Sequence, residues 1–259
     1  MKFSFHKYQG TGNDFIMIDD RNQQFPIHDT DFIARCCDRR FGIGADGLIL
    51  VQESTTTDFK MVYFNSDGRE STLCGNGARC TVAFAASLGI IKHKTTFDAV
   101  DGSHFACIEA DHTISLRMHD IHSIECTHTH AFLDTGSPHH VTMVEDLPHY
   151  DVTGQGAKIR YGAPYFEEGA NVNFVHQLSE NSFSIRTYER GVEDETLSCG
   201  TGATAVAIAM HKQGHTSSKD LIIQVVGGEL NVSFEVENNR YTAINLRGPA
   251  QFVFSGEFE

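Results

Sequence analysis

The chain has 259 residues, a formal net charge of −14 and 40% hydrophobic residues. This length and composition are typical of one large globular domain or two smaller ones. The acidic balance argues against a nucleic-acid or anionic-membrane partner, because both bind basic surfaces. No apolar run approaches the roughly 18 residues of a membrane helix, and the N-terminus lacks the apolar core of a signal peptide.

The chain carries seven cysteines, an odd number without a C-x-x-C pair. This usage favours reduced thiols in a cytoplasmic protein. There are also fifteen histidines, but none lies in an H-E-x-x-H motif or in a set with zinc-like spacing. We therefore predict no metal site, and we expect most histidines on the surface or in loops.

Strand-forming segments dominate the chain. Aromatic and β-branched residues predict strands at residues 2–8, 15–19, 48–53 and 59–65. A helix is expected from about residue 30 to residue 38, capped by Asp29 or Thr30. Further on, residues 103–118 predict a hairpin that turns near Asp111, and residues 221–246 predict at least two strands around two glycine or asparagine turns.

Two segments break the strand pattern, Cys74-Gly-Asn-Gly-Ala and Cys199-Gly-Thr-Gly-Ala. Both continue into runs of small apolar residues, and nearly half the chain separates them. Alanine-rich helices with few charges are apolar nearly all round, which predicts burial on every side. One such helix in each half of the chain indicates an internal duplication.

The predicted fold class is α+β, with two pseudo-symmetric domains. Each domain is expected to be a curved, mostly antiparallel sheet or barrel wrapped around one central helix, with the active site in the cleft between the domains. The break is expected near residues 117–124, which sets the domains at 1–118 and 119–247.

A cysteine at a helix start has distinctive chemistry. The first turn of a helix leaves backbone N–H groups without partners and carries partial positive charge. The thiolate is therefore favoured there, and its pKa falls from about 8.5 toward neutrality. The glycines at 75, 77, 200 and 202 would let backbone amides approach a bound carboxylate. Two such motifs predict a two-base enzyme without a cofactor, in which one thiolate removes an α-proton and the opposite thiol returns one.

Two hypotheses of other classes remain open. Two acidic thiols could form a regulatory disulfide in a redox switch, or the chain could bind an amino acid without turning it over. The other five cysteines are expected to be core residues: Cys36, Cys37, Cys80, Cys107 and Cys126.

Four further motifs occur in order around the two cysteine motifs, namely G-T-G-N-D-F at 10–15, R-F-G-I-G-A-D-G at 40–47, N-S-D-G at 65–68 and Y-E-R-G at 188–191. Together they resemble the diaminopimelate epimerase family, pyridoxal-phosphate-independent enzymes that interconvert LL- and meso-diaminopimelate. The resemblance extends over almost the whole chain. It implies that residues 248–259 return to the first domain, and that the protein is a cytoplasmic homodimer in lysine and peptidoglycan precursor biosynthesis.

The resemblance also implies roles for individual residues. Cys74 and Cys199 would be the acid/base pair, with support from His139, near the first cysteine, and from Glu189. The implied substrate-binding residues are Asn13, Asn65, Gly75, Asn76, Asn171, Glu189, Arg190, Gly200 and Thr201.

This chain departs from the family pattern at two positions. Ser137 stands where asparagine is common, which puts that substrate contact in doubt. Gly47 stands where some members carry a side-chain ligand. A proline or hydroxyproline racemase is the alternative within the same fold, although the polar run at 188–190 favours a substrate with a charged far end.

Overall fold

A computed structural model describes residues 2–259, which form two compact units. The first unit contains the residues up to Leu116 together with Gly248–Glu259, and the second contains Arg117–Arg247. The sequence placed the first break two residues later, and the assignment of these units as domains stays a prediction.

The first unit contains two helices, α1 at Thr30–Cys37 and α2 at Gly75–Ser87. Its strands are β1 Phe3–Gly10, β2 Asn13–Asp19, β3 Gly47–Gln52, β4 Phe59–Asn65, β5 Lys94–Ala99, β6 Gly102–Ile108, β7 Ile114–Arg117 and β17 Gln251–Phe258.

The second unit also contains two helices, α3 at Val152–Tyr161 and α4 at Gly200–Lys212. Its strands are β8 Ile124–Cys126, β9 Ala131–Asp134, β10 Pro138–Met143, β11 Asn171–Ser179, β12 Ser182–Glu189, β13 Asp194–Thr196, β14 Asp220–Val225, β15 Gly228–Glu237 and β16 Arg240–Gly248.

The two units share one strand topology. The first unit pairs its strands in the order β17, β1, β2, β3, β4, β5, β6, β7. The second pairs β8, β9, β10, β11, β12, β14, β15, β16, and β13 adds to β12. In both orders the third and fifth pairings are parallel and the others are antiparallel. The predicted pseudo-symmetry and mostly antiparallel pairing are confirmed.

Each unit wraps its strands around one helix. Helix α2 contacts strands from β17 at one edge to β6 near the other, and α4 contacts strands from β9 to β15. One helix can touch so many strands of a sheet only if the sheet curves around it. Ten of the 13 residues of each helix are buried, as their small apolar composition predicts. The expected α+β architecture with central helices is confirmed.

The other elements predicted from the sequence are confirmed to within a few residues. Helix α1 begins after Asp29, whose carboxylate accepts a hydrogen bond from the amide of Phe32 at 3.0 Å. The hairpin of β6 and β7 turns through His112, which has a positive φ of 66°. The final strand β17 pairs with β1 from Gln251 to Phe258, with one register shift between Phe252 and Phe254.

Helix α3 is absent from the predictions because its sequence contains two helix-weakening glycines, Gly154 and Gly156. Packing explains the second glycine. A Cβ at Gly156 would lie 2.4 Å from the Cβ of Tyr188, so only glycine lets the helix approach β12 this closely. Within residues 2–259, no helix is long and apolar enough to cross a membrane.

Candidate active site

Two pairs of helices begin in different ways. The N-cap residues of α1 and α3 are Asp29 and Asp151, and each carboxylate accepts a backbone N–H of its own first turn. The N-cap residues of α2 and α4 are Cys74 and Cys199, which have extended backbones, no capping side-chain hydrogen bond and no acidic residue in the first turn. The backbone N–H groups in the first turns of α2 and α4 therefore receive no hydrogen bond acceptor from the side chain of their own N-cap residue, and they can donate to another acceptor.

The first helical hydrogen bonds of α2 and α4 start at the cysteines. The amide of Ala78 donates to the carbonyl of Cys74 at 2.7 Å, and the amide of Ala203 donates to that of Cys199 at 2.9 Å. The preceding N–H groups, at 75–77 and 200–202, belong to the positively polarised first turn. Such a turn can bind a carboxylate, and it favours a thiolate over a thiol.

The second glycine of each motif faces the interior of its unit rather than a ligand. A Cβ at Gly77 would lie 2.9 Å from the Cδ1 of Ile49, and a Cβ at Gly202 would lie 2.5 Å from the Oδ1 of Asn173. The sequence had assigned all four glycines to a carboxylate cradle. For these two, close packing of the helix against a strand is the observed constraint.

The first unit brings together Asn13, Cys74, Gly75 and Asn76, here called the Cys74 half-site. The Sγ of Cys74 lies 3.5 Å from the Oδ1 of Asn13, which also accepts from the Nδ2 of Asn76 at 3.3 Å. Cys74 is half-buried and Asn76 is buried. Two predicted substrate-binding asparagines therefore surround the first predicted catalytic cysteine.

A charged network holds Asn13 in place. Its Nδ2 donates to Asp46 at 2.6 Å, and the guanidinium of Arg39 bridges Asp46 and Asp14. Burial acts to raise the pKa of Asp14, but hydrogen bonds and charge from Arg39 and Lys7 outweigh it and lower the pKa to about 2. Asp14 therefore stays ionised at neutral pH and keeps this network intact.

Asn65 lies at the C-terminal end of β4 and is exposed. Its backbone forms a turn, in which the Asn65 amide donates to the carbonyl of Arg69 and the Gly68 amide donates to that of Asn65. Gly47, on the adjacent strand, has no room for a side chain. A Cβ there would lie 2.6 Å from the ring of Tyr63, so Tyr63 occupies the space that a longer residue would need.

The second unit contains the Cys199 half-site, made up of Cys199, Gly200, Thr201 and the residues around Asn171. Cys199 is only 6% exposed, and its Sγ lies 3.4 Å from the hydroxyl of Thr201. The hydroxyl of Thr135 donates to the carbonyl of Thr201 at 2.9 Å. This bond ties the first turn of α4 to the segment that precedes β10.

Asn171 connects several predicted residues of the second unit. Its Nδ2 donates to the hydroxyl of Ser137 at 2.8 Å, and its Oδ1 accepts the backbone N–H of Arg190 at 2.8 Å. Ser137, whose role the sequence left in doubt, therefore contacts a predicted substrate-binding asparagine. Glu189 accepts from the hydroxyl of Thr196 at 3.0 Å.

The guanidinium of Arg190 is exposed and donates to the carbonyl of Glu168 at 2.9 Å. It lines a cavity of about 470 Å³ in the second unit, together with Glu125, His130, Phe132, Pro138, Pro164, Tyr165, Glu168 and Gly169. A guanidinium presented to such a cavity can bind a carboxylate through two parallel hydrogen bonds.

His139 is fully buried in the second unit, the unit of Cys199. Its Nδ1 contacts the Nδ2 of Asn173 at 3.0 Å, and its Nε2 lies 3.5 Å from the amide of Asn171. Burial, with a smaller effect from Arg190, lowers the pKa of His139 to about 3. The ring is therefore neutral at neutral pH, and its predicted assistance to Cys74 stays a prediction.

Sequence reasoning missed two residues. Asp46 lies in a motif that was noted but assigned no side-chain role, and it anchors Asn13. Asn173 is fully buried, donates to the carbonyl of His140 and accepts from the hydroxyl of Thr187. The signal for Asn173 was present in N-V-N at 171–173, since alternate residues of a strand share one face.

The expectation that the five other cysteines are core residues needs correction. Cys36, Cys37 and Cys80 are buried as expected, but Cys107 is half-buried and Cys126 is exposed, because Cys126 ends the short strand β8. Most of the fifteen histidines are exposed or half-buried, as expected, and three, at 104, 139 and 140, are buried in strands. Among residues 2–259, no group of three or more His, Cys, Asp or Glu side chains is arranged to hold a metal ion.

Solved structures of low sequence identity share this fold. A phenazine biosynthesis protein of the PhzF family from Bacillus anthracis aligns with a TM-score of 0.78 at 15% identity, over 100% of this chain and 99% of that one. A hydroxyproline epimerase from Agrobacterium vitis aligns with a TM-score of 0.66 at 12% identity, over 99% of this chain and 92% of that one.

Sequence comparisons are more specific. The sequence model of the family described as "Diaminopimelate epimerase" matches residues 5–120 and 131–253. A diaminopimelate epimerase of Flavobacterium psychrophilum is 60% identical over 96% of this chain and 97% of its own length. A diaminopimelate epimerase of Chlorobaculum tepidum is 42% identical over 95% of this chain and 98% of its own length. The chain, with a cysteine at the start of each central helix, therefore belongs to the diaminopimelate epimerase family.

Proposed function

We propose that this protein is an isomerase that interconverts LL- and meso-diaminopimelate by proton transfer at the α-carbon, with Cys74 and Cys199 as the two acid/base groups. The observation that carries the proposal is the pair of helices that begin at cysteine without a side-chain cap or an acidic first turn. Family membership supports this substrate over proline, because the likeness to the hydroxyproline epimerase is one of fold.

The proposed reaction moves one proton off the α-carbon and one proton onto it. A thiolate of one cysteine takes the α-proton, and the electron pair of the broken C–H bond stays on the substrate as a carbanion conjugated to the carboxylate. The thiol of the other cysteine gives its proton to the opposite face of the carbon and becomes the thiolate. The reverse reaction exchanges the two roles, and no cofactor takes part.

Backbone amides are suited to the charge that develops in this step. When the α-proton leaves, negative charge spreads onto the carboxylate oxygens. Donors that are already oriented toward these oxygens stabilise the charge without reorganisation. We propose that the N–H groups of Gly75, Asn76, Gly200 and Thr201 bind the α-carboxylate.

The remaining predicted residues are proposed to bind the rest of the substrate, whose far end carries a second ammonium and a second carboxylate. The guanidinium of Arg190 suits the carboxylate, and Glu189 suits the ammonium. The amides of Asn13, Asn65 and Asn171 offer both donors and acceptors. His139 is proposed to act only as a neutral hydrogen-bonding group.

Isotope exchange in deuterated water tests this proposal. The purified enzyme is incubated with LL-diaminopimelate or with L-proline, and loss of the α-proton signal is followed by NMR. We expect rapid exchange and inversion with diaminopimelate and none above background with proline. Exchange of proline alone would refute the substrate assignment, and exchange of neither would refute the epimerase proposal.

We propose that the enzyme works as a homodimer that associates through β17. This strand pairs with β1, and no other strand within residues 2–259 pairs with its second edge in the same unit. Phe252, Val253 and Phe254 are 52%, 52% and 44% exposed. An exposed apolar edge strand is a template for pairing with another chain. Sedimentation velocity should detect a dimer that Phe254→Glu dissociates, whereas a monomeric wild-type protein would contradict this proposal.

We propose a cytoplasmic location and a role in supplying lysine and peptidoglycan precursors. Cytoplasmic reductants keep thiols reduced, and the proposed mechanism needs one thiolate and one thiol. Cell fractionation tests the location. Growth of a depleted strain on added lysine and meso-diaminopimelate tests the pathway.

A further inference from the structure

Arg79 is a buried arginine without a carboxylate partner. It lies in the second turn of α2, below Cys74, and its side chain is 0% exposed. None of the ion pairs in the described chain, residues 2–259, includes Arg79. Because an isolated buried charge is strongly unfavourable, such a residue calls for an explanation.

The contacts of the Arg79 guanidinium are to neutral oxygens. The closest is the Oδ1 of Asn76, which accepts from Nη2 at 2.9 Å. Longer contacts reach Thr11, Gly75 and Pro249, at 3.4–3.5 Å. Arg79 therefore determines which way the Asn76 amide points, and its Nδ2 is left to donate to Asn13 beside the sulfur of Cys74.

Two thiols, Cys80 and Cys74, are the groups that can place negative charge next to Arg79. Burial lowers the pKa of Arg79, while charge on these two cysteines would raise it. Burial also raises the pKa of Cys80 to about 12, outweighing Arg79, with Cys74 and Asp14 adding to the increase. Cys80 is therefore a neutral thiol near neutral pH, and a thiolate at Cys74 is the anion that can balance the buried cation.

We propose that Arg79 is a positioning residue for Cys74, holding the amide of Asn76 in place and supplying the positive charge that favours the Cys74 thiolate. This inference rests on the proposed function for its catalytic meaning. The effect of the Arg79 charge on the Cys74 thiolate does not depend on the reaction, so it can be measured without turnover.

The second unit offers a matched control. The position on α4 that corresponds to Arg79, counted from the motif cysteine, is Thr204, which is fully buried. Its hydroxyl donates to the carbonyl of Gly200 at 3.0 Å. No cation occupies the second turn of α4, so the Cys199 thiolate is supported by the helix start without a buried arginine in that turn.

The test is the alkylation rate of each cysteine as a function of pH, measured with iodoacetamide and resolved by peptide mass spectrometry. Wild type, Arg79→Met, Arg79→Lys and Thr204→Val are compared. In Arg79→Met we expect the pH midpoint for Cys74 to rise by about one unit, as expected for loss of a nearby opposite charge. The midpoint for Cys199 should stay unchanged. In Thr204→Val the midpoint for Cys74 should stay at its wild-type value.

Arg79→Lys separates charge from geometry. It keeps a cation but loses the fork that reaches Asn76. The Cys74 midpoint should stay near the wild-type value, while KM for diaminopimelate rises. If circular dichroism shows that Arg79→Met does not fold, Arg79→Gln serves as a second uncharged variant.

An unchanged Cys74 midpoint in a folded neutral variant would overturn the inference, because the helix start alone would then set the thiolate. A midpoint raised in Arg79→Lys as much as in the neutral variants would also overturn it, since charge would not be the cause. Absence of diaminopimelate exchange in the wild type would instead refute the proposed function and leave the alkylation result standing.

Discussion

The Cys74 and Cys199 half-sites share a motif and differ in what surrounds it. Both cysteines begin a 13-residue central helix, and both lie in the chain between the fifth and sixth strands of an equivalent eight-strand order. Beside Cys74 lie an asparagine and, one turn below, a buried arginine. Beside Cys199 lie a threonine and a layer of neutral side chains that includes buried His139 and Asn173.

The two units therefore share a cysteine at the start of the central helix but differ in the side chains that surround each thiol. The helix start supplies the donors, which any residues in the right backbone conformation can offer. The side chains beneath it decide how far the thiolate is favoured. In the proposed reaction one cysteine is a thiolate while the other is a thiol, so different surroundings are expected for the two sulfur atoms.

The largest expected effect comes from removing either sulfur. Cys74→Ser and Cys199→Ser should each lower kcat by about 1,000-fold, because a hydroxyl is too weak an acid to replace a thiol in general acid–base catalysis. The measurement is α-proton exchange of diaminopimelate. Cys126→Ser, at an exposed cysteine, is the control and should retain full activity. Wild-type turnover in both variants would exclude the two-base proposal and leave the redox-switch hypothesis as the better one.

A methyl group added at the second glycine of each motif should affect the two half-sites unequally. At Gly202 it would meet the Oδ1 of Asn173, which hydrogen bonds hold in place, whereas at Gly77 it would meet the movable end of Ile49. We expect Gly202→Ala to cost about 2–3 kcal/mol of unfolding free energy and Gly77→Ala about 1 kcal/mol. Urea denaturation measures both. Equal losses would show that the two helices pack with the same tolerance.

The second unit contains two buried histidines, His139 and His140, through which the folded protein should lose stability in acid. Burial lowers the pKa of His139 to about 3 and of His140 to about 4, with smaller effects of Arg190 and His130 respectively. In the unfolded chain both titrate near about 6.5. Below that pH the unfolded state binds more protons, so stability is lost as pH falls from about 6.5 toward the folded values.

Between about pH 7 and about pH 5 this effect should cost on the order of 1–2 kcal/mol per buried histidine. Thermal melts across this range measure it. His140→Phe should weaken the pH dependence, and the exposed His149→Gln should not. A flat wild-type profile would indicate that the two rings are protonated in the folded state.

The smallest expected effect concerns the support of Asn13. Asp46→Asn removes the carboxylate that accepts from Asn13 and Arg39. Losing this partly exposed network should raise KM for diaminopimelate by about fivefold, corresponding to roughly 1 kcal/mol. Asp19→Asn, which breaks a surface ion pair with Arg21, is the control. A changed kcat with constant KM would indicate instead that Asp46 acts through Cys74.

The predictable part of the site lies in local sequence. C-G-x-G-A before an alanine-rich run predicts a helix that begins at a cysteine, and its repetition predicts two such helices. Asn13 and Asn76 could be assigned because the resemblance placed them in motifs. Asp46 could not be assigned, because its role depends on Asn13, which lies 33 residues away on another element. Asn173 could have been, since N-V-N at 171–173 places it on the same face of its strand as Asn171.

The amino-acid sequence alone determined the two cysteine-started helices, most strands of the first unit and the family. These depend on periodicity, turn residues and motifs, all of which act over a few neighbouring residues. Only the tertiary structure revealed that Gly77 and Gly202 serve packing, that His139 is buried and neutral, and that Arg79 is buried beneath Cys74. Burial and electrostatic environment arise from elements far apart in the chain, so no local pattern encodes them.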